Sequence, residues 1–254
     1  MRKNWVREKL KAGQPTLGAL LGLGSPNVAE LMAHAGYDWL AIETEHNPID
    51  MGRVEHMLMA MNGTDTIPIV RVPNSDAIFI QRVLDAGSMG ILVPMVKTAA
   101  EAKTIVDATR YPPEGSRGFG PLRASHYTMD NLDYFSNANG NILIALILET
   151  KEALQNLEEI TAVPGIDALL VGAYDLCLSL GLNPMYQPFE EVDEAIAEAL
   201  ALCRKNKVAI GIGAGSPEEL RQRHEQGFTF QTYGTDYMLL GNSARAGVDC
   251  FKRL

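Results

Sequence analysis

The chain has 254 residues, of which 46% are hydrophobic and 21% are charged, a balance typical of a folded globular protein and not of a disordered one. Its formal net charge of −9, without any Lys/Arg-rich run, argues against a nucleic-acid partner. The 3 cysteines lack CxxC spacing, which predicts neither a disulfide framework nor a structural zinc site. No apolar run approaches the length of a membrane span. We therefore expect a cytoplasmic protein with no membrane partner.

The N-terminal segment MRKNWVREKLKAG predicts a short amphipathic helix that leads into the fold, since no apolar stretch of the signal-peptide kind follows its basic residues. After it come eight short apolar runs, each of which predicts a strand: TLGALLG, DWLAIE, IPIVR, GILVP, NILIALIL, DALLVG, VAIGI and FTFQTY. NILIALIL has no polar alternation, as expected of a parallel strand that is covered on both faces.

Most of these runs are separated by segments in which apolar residues recur at three- and four-residue steps, a pattern typical of amphipathic helices. Examples are SPNVAELMAHAG, MGRVEHMLMAMNG, DAIFIQRVLDAG and TAAEAKTIVDAT. Ser25-Pro26 predicts a helix start, and Gly36 and Gly87 predict helix ends. The segment SPEE at 216–219 predicts a capping box with proline at the first helical position.

Eight βα units in a chain of this length predict a (β/α)8 TIM barrel, in preference to an open doubly wound sheet. No linker or change of composition divides the chain, so we expect a single barrel domain over residues 1–254. The interval 111–140 is too long for a tight connection, and long loops in compact folds are usually functional or flexible.

Five side chains that can carry chemistry follow four of the predicted strands at the same end. Glu45 and His46 follow the second strand, Arg71 ends the third, Glu149 ends the fifth and Asp175 follows the sixth. Each alone has an ordinary structural explanation, such as a helix cap or a surface ion pair. Because the active site of a barrel is built at the carboxyl ends of its strands, their convergence predicts a catalytic site.

Two carboxylates with few other protein ligands suit a hard divalent cation that keeps positions open for water and substrate oxygens. Gly172 and Ala173, beside Asp175, would let a ligand approach the backbone, and the N–H groups that begin a helix there would favour a carboxylate. The segment GIGAGSPEEL lacks the GxGxxG spacing and the context of a dinucleotide site.

Several longer stretches together resemble the HpcH/HpaI aldolase family, the class II pyruvate aldolases, in order along nearly the whole chain. They are SPNVAELMAHAGYDWLAIETEHNPI, PIVRVP, VLDAGSMGILVPMVKTAAEA, YPPEGSRGFGPLRAS, LILETKEAL and VGAYDLCLSLG. The resemblance implies a barrel of the phosphoenolpyruvate/pyruvate superfamily type. It also implies a homo-oligomer, often a domain-swapped dimer assembled into a hexamer. The implied reaction is cleavage of a 4-hydroxy-2-oxo acid to pyruvate, or a pyruvate analogue, and an aldehyde, with magnesium, manganese or cobalt.

Carried over by position, the resemblance implies that Glu149 and Asp175 bind the metal and that His46 acts in proton transfer. Arg71 would hold the pyruvate oxygen that becomes the enolate oxygen, and the Gly172-Ala173 pair would lie beside the pyruvate carboxylate. On physical grounds, the metal lowers the cost of forming the enolate, and the fixed charge of Arg71 stabilises the developing oxyanion.

The chain departs from the family pattern at five positions. Glu43 stands for an Asp, Ile147 for a Gln, Ala173 for a Pro, Tyr174 for an Ala and Met89 for a Gln. These changes bear on the proton relay around His46, on the polarity of the pocket and on the substrate. We expect Glu43 to orient the imidazole and Glu45 to be structural.

Two other interpretations remain open. A Schiff-base aldolase would need a lysine at the mouth, and Lys97, shortly after the fourth strand, is the candidate. The departures at Glu43 and Ile147 would also suit a non-catalytic module that binds a 2-oxo acid.

Overall fold

The computed structural model describes residues 1–186 and 188–254. Eight parallel strands pair in chain order and close into a barrel, which confirms the predicted TIM-barrel fold. The strands are β1 (Thr16–Leu21), β2 (Trp39–Glu43), β3 (Ile67–Arg71), β4 (Gly90–Val93), β5 (Leu143–Leu148), β6 (Ala168–Val171), β7 (Ala209–Ala214) and β8 (Phe230–Thr235). All eight coincide with predicted runs, although β8 begins and ends two residues later than the run FTFQTY.

Helices surround the barrel and connect its strands. They are α1 (Trp5–Lys11), α2 (Pro26–His34), α3 (Met51–Ala60), α4 (Ala77–Asp85), α5 (Ala99–Thr109), α6 (Asn131–Asn141), α7 (Lys151–Gln155), α8 (Leu157–Thr161), α9 (Ala173–Ser179), α10 (Glu190–Asn206), α11 (Pro217–Gln226) and α12 (Asp236–Phe251). Within the described ranges, none of these helices combines the length and the hydropathy that a membrane span requires.

The helix ends show how local sequence sets the connections. The Ser25 side chain caps α2, and Gly36 and Gly87 have φ values of +96° and +102° just past the ends of α2 and α4, as predicted. The capping box predicted at 216–219 is wrong in its second half. The Ser216 hydroxyl accepts from Glu219 N at 3.1 Å, but the Glu219 carboxylate binds Gly215 N at 2.8 Å instead of the backbone of Ser216.

The N-terminal ends of the strands form a closed floor. The rings of Trp39 and Phe230 stack inside the barrel with centroids 4.2 Å apart. Gly18 makes room for this stack, because a Cβ there would lie 2.1 Å from the Trp39 ring. Helix α1 covers the floor with Val6 and Leu10, both buried in the interior cluster. The amphipathic helix predicted at the N-terminus therefore closes one end of the barrel, which leaves the other end for a site.

The interval 111–140 lies at the floor side and not at the carboxyl ends of the strands, because it follows α5, which returns the chain to the floor. Arg117 is its anchor: Nη2 lies 2.7 Å from Asp85 Oδ1, and the guanidinium lies 4.6 Å from the ring centroid of Tyr111 and 5.6 Å from that of Tyr134. Its aromatic packing and its distance from the mouth indicate a structural segment.

Helix α12 is exposed along most of its length. Asp236, its first residue, is its buried member, while the residues from 240 to 254 are exposed, including Leu240, Val248 and Phe251. Exposed apolar side chains of this size along one helix are typical of an interaction surface.

Candidate active site

The carboxyl ends of the strands form an open mouth, and every candidate side chain lies there. Glu43 ends β2, with His46 on the loop that follows it, and Arg71 ends β3. Glu149 follows β5 directly, while Asp175 lies in the first turn of α9. Strand register places Glu43 opposite Arg71, so strands β2 and β3 deliver these two side chains to the barrel interior at the same level.

Arg71 is the centre of the cluster. Its Nη1 donates to Glu43 Oε2 at 2.9 Å, its Nη2 pairs with Glu45 Oε2, and the same Nη2 lies 3.9 Å from Glu149 Oε2. Nε is buried and has no hydrogen-bond partner among the described residues. One guanidinium thus faces three carboxylates, which leaves the mouth with a surplus of negative charge and a free donor.

The imidazole of His46 has a different carboxylate partner from the one predicted. His46 Nε2 lies 3.3 Å from Glu45 Oε2, whereas the Glu43 carboxylate accepts from the backbone N–H groups of Glu45 at 2.7 Å and His46 at 3.2 Å. The expectation that Glu43 orients the imidazole is therefore wrong. Glu43 shapes the backbone of the turn, and Glu45, which we expected to be structural, links the imidazole to Arg71.

Glu149 is buried, and a hydrogen bond fixes one of its two carboxylate oxygens. Its Oε1 accepts from Met95 N at 2.6 Å, and Met95 adopts a left-handed φ of 58° to present that amide. Burial raises the pKa of Glu149, and the Asp175 carboxylate adds to the increase, while the Met95 amide and Arg71 oppose it. The raised pKa indicates a carboxylate for which a neighbouring positive charge would be favourable.

The free oxygen of Glu149 faces a gap at Gly172. A Cβ at Gly172 would lie 2.9 Å from Glu149 Oε2 and 2.8 Å from Glu149 Cβ, so only glycine leaves this space open. Asp175 is exposed in the adjoining turn of α9. Within the described ranges, no cluster of three or more His, Cys, Asp or Glu side chains could hold a metal. Glu149 and Asp175 offer carboxylate oxygens, the donors that a hard divalent cation prefers, and such a cation would take its other ligands from water or substrate.

A known protein family matches most of the chain. The model of the HpcH/HpaI aldolase/citrate lyase family matches residues 17–243. The chain belongs to this family. Membership confirms the resemblance read from the sequence motifs.

Named relatives and a solved structure give the same result. A 2-dehydro-3,6-dideoxy-6-sulfogluconate aldolase of Pseudomonas putida is 38% identical over 239 residues, covering 92% of each chain. A 4-hydroxy-2-oxo-heptane-1,7-dioate aldolase of Escherichia coli is 38% identical over 247 residues, covering 96% of this chain and 93% of the relative. The crystal structure of an HpcH/HpaI aldolase/citrate lyase family protein from Burkholderia cenocepacia J2315 superimposes with a TM-score of 0.92 at 35% identity, covering 98% of this chain and 99% of the other. The prediction that this chain is an enzyme of the lyase class is confirmed.

The departures from the HpcH/HpaI pattern fall at unequal distances from the mouth. Ile147 is buried inside the barrel below Glu149, with its Cγ2 3.1 Å from the position of a Cβ on Gly172. Tyr174 is 60% exposed in the first turn of α9, at the rim. Met89 immediately precedes β4 and is therefore at the floor, where its carbonyl accepts from Asn4 Nδ2 at 2.9 Å. Of the departures, Met89 does not line the mouth, because the length of β4 separates it from the carboxyl ends of the strands.

Gly213 leaves open space at one side of the mouth, because it has no side chain. In β7 it is the single exposed position among otherwise buried residues, and it follows the register pair of Val171 and Ile212, level with Gly172. A Cβ at Gly213 would meet only the Thr232 hydroxyl, at 3.4 Å. Solvent therefore reaches the barrel interior across β6 and β7, opposite the charged cluster on β2 and β3.

Lys97, the candidate for a Schiff base in this HpcH/HpaI chain, lies between β4 and α5. Its backbone N–H donates to Glu101 Oε2 at 2.7 Å, and its carbonyl accepts from Asn156 Nδ2 at 2.9 Å. These contacts make its backbone part of the cap of α5. Among the described contacts, none joins its ammonium to the charged cluster.

Sequence reasoning missed two residues of the mouth. Met95 supplies the amide that holds Glu149, and a backbone donor leaves no signal in side-chain patterns. Asp236 follows β8 as Glu149 follows β5, and it binds the loop after β1 through its carboxylate. The strand-end rule would have identified Asp236 if the eighth strand had been extended past Tyr233 to its true end at Thr235.

Proposed function

We propose that the chain is a divalent-metal-dependent aldolase that reversibly cleaves a 4-hydroxy-2-oxo acid into pyruvate, or a pyruvate analogue, and an aldehyde. The observation that carries the proposal is that a backbone amide fixes one oxygen of the Glu149 carboxylate while the other faces the mouth. One oxygen is fixed by Met95 N, and the other faces Arg71 and the gap at Gly172. The names of the two curated relatives, both aldolases of oxo or dehydro acids, support the reaction class.

Glu149 and Asp175 would hold the cation, which we expect to be magnesium, manganese or cobalt. When bound, it would supply Lewis-acid stabilisation for the charge that develops on the ketone oxygen of a 2-oxo acid. The surplus negative charge of the cluster and the mutual repulsion of Glu149 and Asp175 both favour a cation. The Gly172-Ala173 pair would lie beside the substrate carboxylate, where α9 begins without a side-chain cap.

Arg71 would donate to the ketone oxygen as it becomes an enolate oxygen. Its guanidinium is fixed by Glu43 and Glu45 and retains an unpartnered Nε. A preorganised donor of this kind needs no rearrangement when charge develops, which is why such donors accelerate reactions.

His46 would accept the proton of the aldol hydroxyl during cleavage and return it during addition. Its side chain is 61% exposed, so a substrate in the mouth can reach it, and its Nε2 faces Glu45 Oε2. Because Glu45 also binds Arg71, one carboxylate would orient both the imidazole and the guanidinium.

The loop after β7 indicates the substrate class. In TIM barrels a phosphate group frequently binds at the loops after strands seven and eight. Here the Gly215 N–H is bound by the Glu219 carboxylate, and α11 begins with Glu218 and Glu219, which repel an anion. We therefore propose an aldehyde without a phosphate group. Glyceraldehyde should give a higher kcat/KM than glyceraldehyde 3-phosphate, and the reverse order would contradict this assignment.

The central experiment follows enolate formation separately from aldehyde chemistry. The protein is stripped with a chelator and given pyruvate in deuterated water, and methyl-proton exchange is followed by NMR before and after addition of magnesium, manganese or cobalt. We expect exchange only with metal. A panel of aldehydes then tests aldol addition. Exchange at full rate in the stripped protein would overturn the metal assignment, and borohydride trapping of pyruvate on Lys97 would favour a Schiff base. Metal-dependent pyruvate binding without exchange would favour the binding module.

We also propose a homo-oligomer built from dimers, as the family implies, in which α12 packs on a partner. The exposed Leu240, Val248 and Phe251 support this. Light scattering after size-exclusion chromatography tests it. The double variant Leu240→Glu/Phe251→Glu should shift the protein to a smaller species, while the control Ser243→Glu should not. A wild-type monomer would contradict the proposal.

A further inference from the structure

A buried carboxylate at the start of α12 is not part of the charged cluster. Asp236 is 3% exposed, and backbone amides bind both of its oxygens. Oδ1 accepts from Gly22 N at 2.8 Å and from Tyr237 N at 2.8 Å, and Oδ2 accepts from Leu23 N at 3.0 Å. Charge-assisted hydrogen bonds of this kind are stronger than neutral ones, so Asp236 holds the loop after β1 firmly.

That loop is also in contact with the loop that carries His46. A Cβ at Gly22 would lie 2.8 Å from the ring of Tyr237 and 3.1 Å from Asn47 Nδ2. Gly22 therefore fits between the start of α12 and the residue that follows His46. A continuous series of contacts runs from Asp236 through Gly22 and Asn47 to the imidazole loop.

The strands that carry these contacts are adjacent in the barrel. The order of the closed sheet places β8, β1 and β2 side by side, while Glu149 and Asp175 follow β5 and β6 across the mouth. A displacement of the loop after β1 would therefore reach His46 before it reached the two carboxylates that hold the cation in the proposed function.

We propose that Asp236 is a positioning residue that fixes the loop of Gly22 and Leu23 and, through Asn47, the placement of His46. The inference rests on the proposed function, because it assigns to Asp236 the aldehyde half of that reaction and not the formation of the enolate. Leu23, 45% exposed on the same loop, would then be held at the rim where the aldehyde enters.

The test compares Asp236→Asn with Asp249→Asn, an exposed acid on the same helix. The asparagine keeps the shape of the side chain but places an NH₂ group against a backbone N–H, so one of the amides of Gly22 and Leu23 loses its acceptor. We expect aldol addition of pyruvate to glycolaldehyde or propanal to lose about tenfold or more in kcat/KM. Metal-dependent exchange of the pyruvate methyl protons should stay within about threefold of wild type, and Asp249→Asn should change neither. An equal loss of both reactions, or no loss of aldol addition, would overturn the inference.

A second variant and a measurement that needs no activity complete the test. Gly22→Ala inserts a methyl group between Tyr237 and Asn47, and it should give the same selective loss. Hydrogen-deuterium exchange followed by mass spectrometry should show faster exchange in peptides covering residues 20–24 and 44–48 of Asp236→Asn. Unchanged hydrogen-deuterium exchange in those peptides would rule out the positioning role even if the protein proved not to be an aldolase. Absence of metal-dependent exchange of the pyruvate methyl protons in wild type would instead rule out the proposed function. The peptide measurement would still decide the role of Asp236.

Discussion

A buried arginine and a half-buried one lie at opposite ends of this barrel, and their partners differ in number. At the floor, Arg7 Nε binds both oxygens of Asp167, at 2.9 and 2.8 Å. Asp167 also accepts from Ile144 N at 3.0 Å, and Arg7 Nη1 donates to the carbonyl of Gly140. The charges are matched one to one. At the mouth, Arg71 faces three carboxylates.

The difference separates stability from function. A buried pair whose charges and hydrogen bonds are matched keeps its fold without help from a ligand, whereas a buried cluster with surplus charge is costly until something neutralises it. Local arrangements that reduce stability in a natural protein are expected at functional sites. The comparison predicts that changes at the mouth lower activity with little effect on stability, and that changes at the floor do the reverse.

The largest effect should come from His46→Ala. Loss of a general base typically lowers a rate by roughly a hundredfold to ten-thousandfold, and we expect aldol cleavage to fall within that range. The thermal unfolding midpoint should not change, because the side chain is mostly exposed. His56→Ala, a histidine in α3 away from the mouth, is the control. Cleavage near the wild-type rate would assign the proton to Glu45, Glu43 or water.

Arg7→Met should lower the stability of the protein by disrupting the ion pair at the floor. Removing one partner of a buried ion pair costs about 3–5 kcal/mol, because the other charge remains buried. We expect urea denaturation to show a loss of this size, while the activity of the folded fraction stays the same. The double variant Arg7→Met/Asp167→Leu should recover much of the stability, since it removes both charges. Full stability of Arg7→Met alone would show that the matched pair contributes nothing to the fold.

Arg71→Ala should slow the exchange of pyruvate methyl protons by roughly a hundredfold to a thousandfold, the usual cost of losing one preorganised oxyanion donor. Arg71→Lys should restore only part of the rate, because an ammonium on a flexible chain cannot bind Glu43 and Glu45 in the geometry of a guanidinium. Exchange as fast as wild type in Arg71→Ala would exclude the proposed enolate role.

The smallest effect concerns Glu45 in the metal-free protein. Burial is the main cause that raises the pKa of Glu45, and Arg71 and His46 oppose it. A carboxyl group whose pKa is higher in the folded state binds more protons there, so its contribution to stability falls as the pH rises from its ordinary value of 4.5 through the raised value. Urea denaturation measured from neutral pH down to pH 4.5 should show wild type gaining stability on acidification relative to Glu45→Gln. Glu158→Gln, an exposed acid, should follow wild type. A gain in the stability of Glu45→Gln relative to wild type on acidification would contradict this prediction.

The barrel and the level of the site could be predicted from the sequence because each rests on a regular pattern. Alternation of apolar runs with amphipathic helices defines the barrel, and the carboxyl end of each strand defines the mouth. The choice between Glu43 and Glu45 could not be predicted. Glu43 is the last residue of β2, and strand alternation ends there. The turn that follows decides which carboxylate meets the imidazole, and it depends on the hydrogen bonds of Glu43 to that turn.

An error at a strand end had the same kind of cost. Asp236 was overlooked, because β8 extends to Thr235, two residues beyond the end of the predicted run. A strand is about 3.3 Å longer for each added residue, and its side chains alternate between faces, so an error of two residues moves a side chain by one full repeat of the barrel interior.

The glycines in β7 and just after β6 bear on how such an enzyme could be adapted. Gly211 cannot change, because a Cβ there would lie 1.4 Å from the carbonyl oxygen of Phe230, and Gly172 is confined by Glu149. Gly213 has no such restriction. It is therefore a position where natural variation or directed evolution could add a side chain to the cavity, one carbon at a time, without rebuilding the backbone or the charged cluster. A small library at this single codon would select among acceptor aldehydes by size.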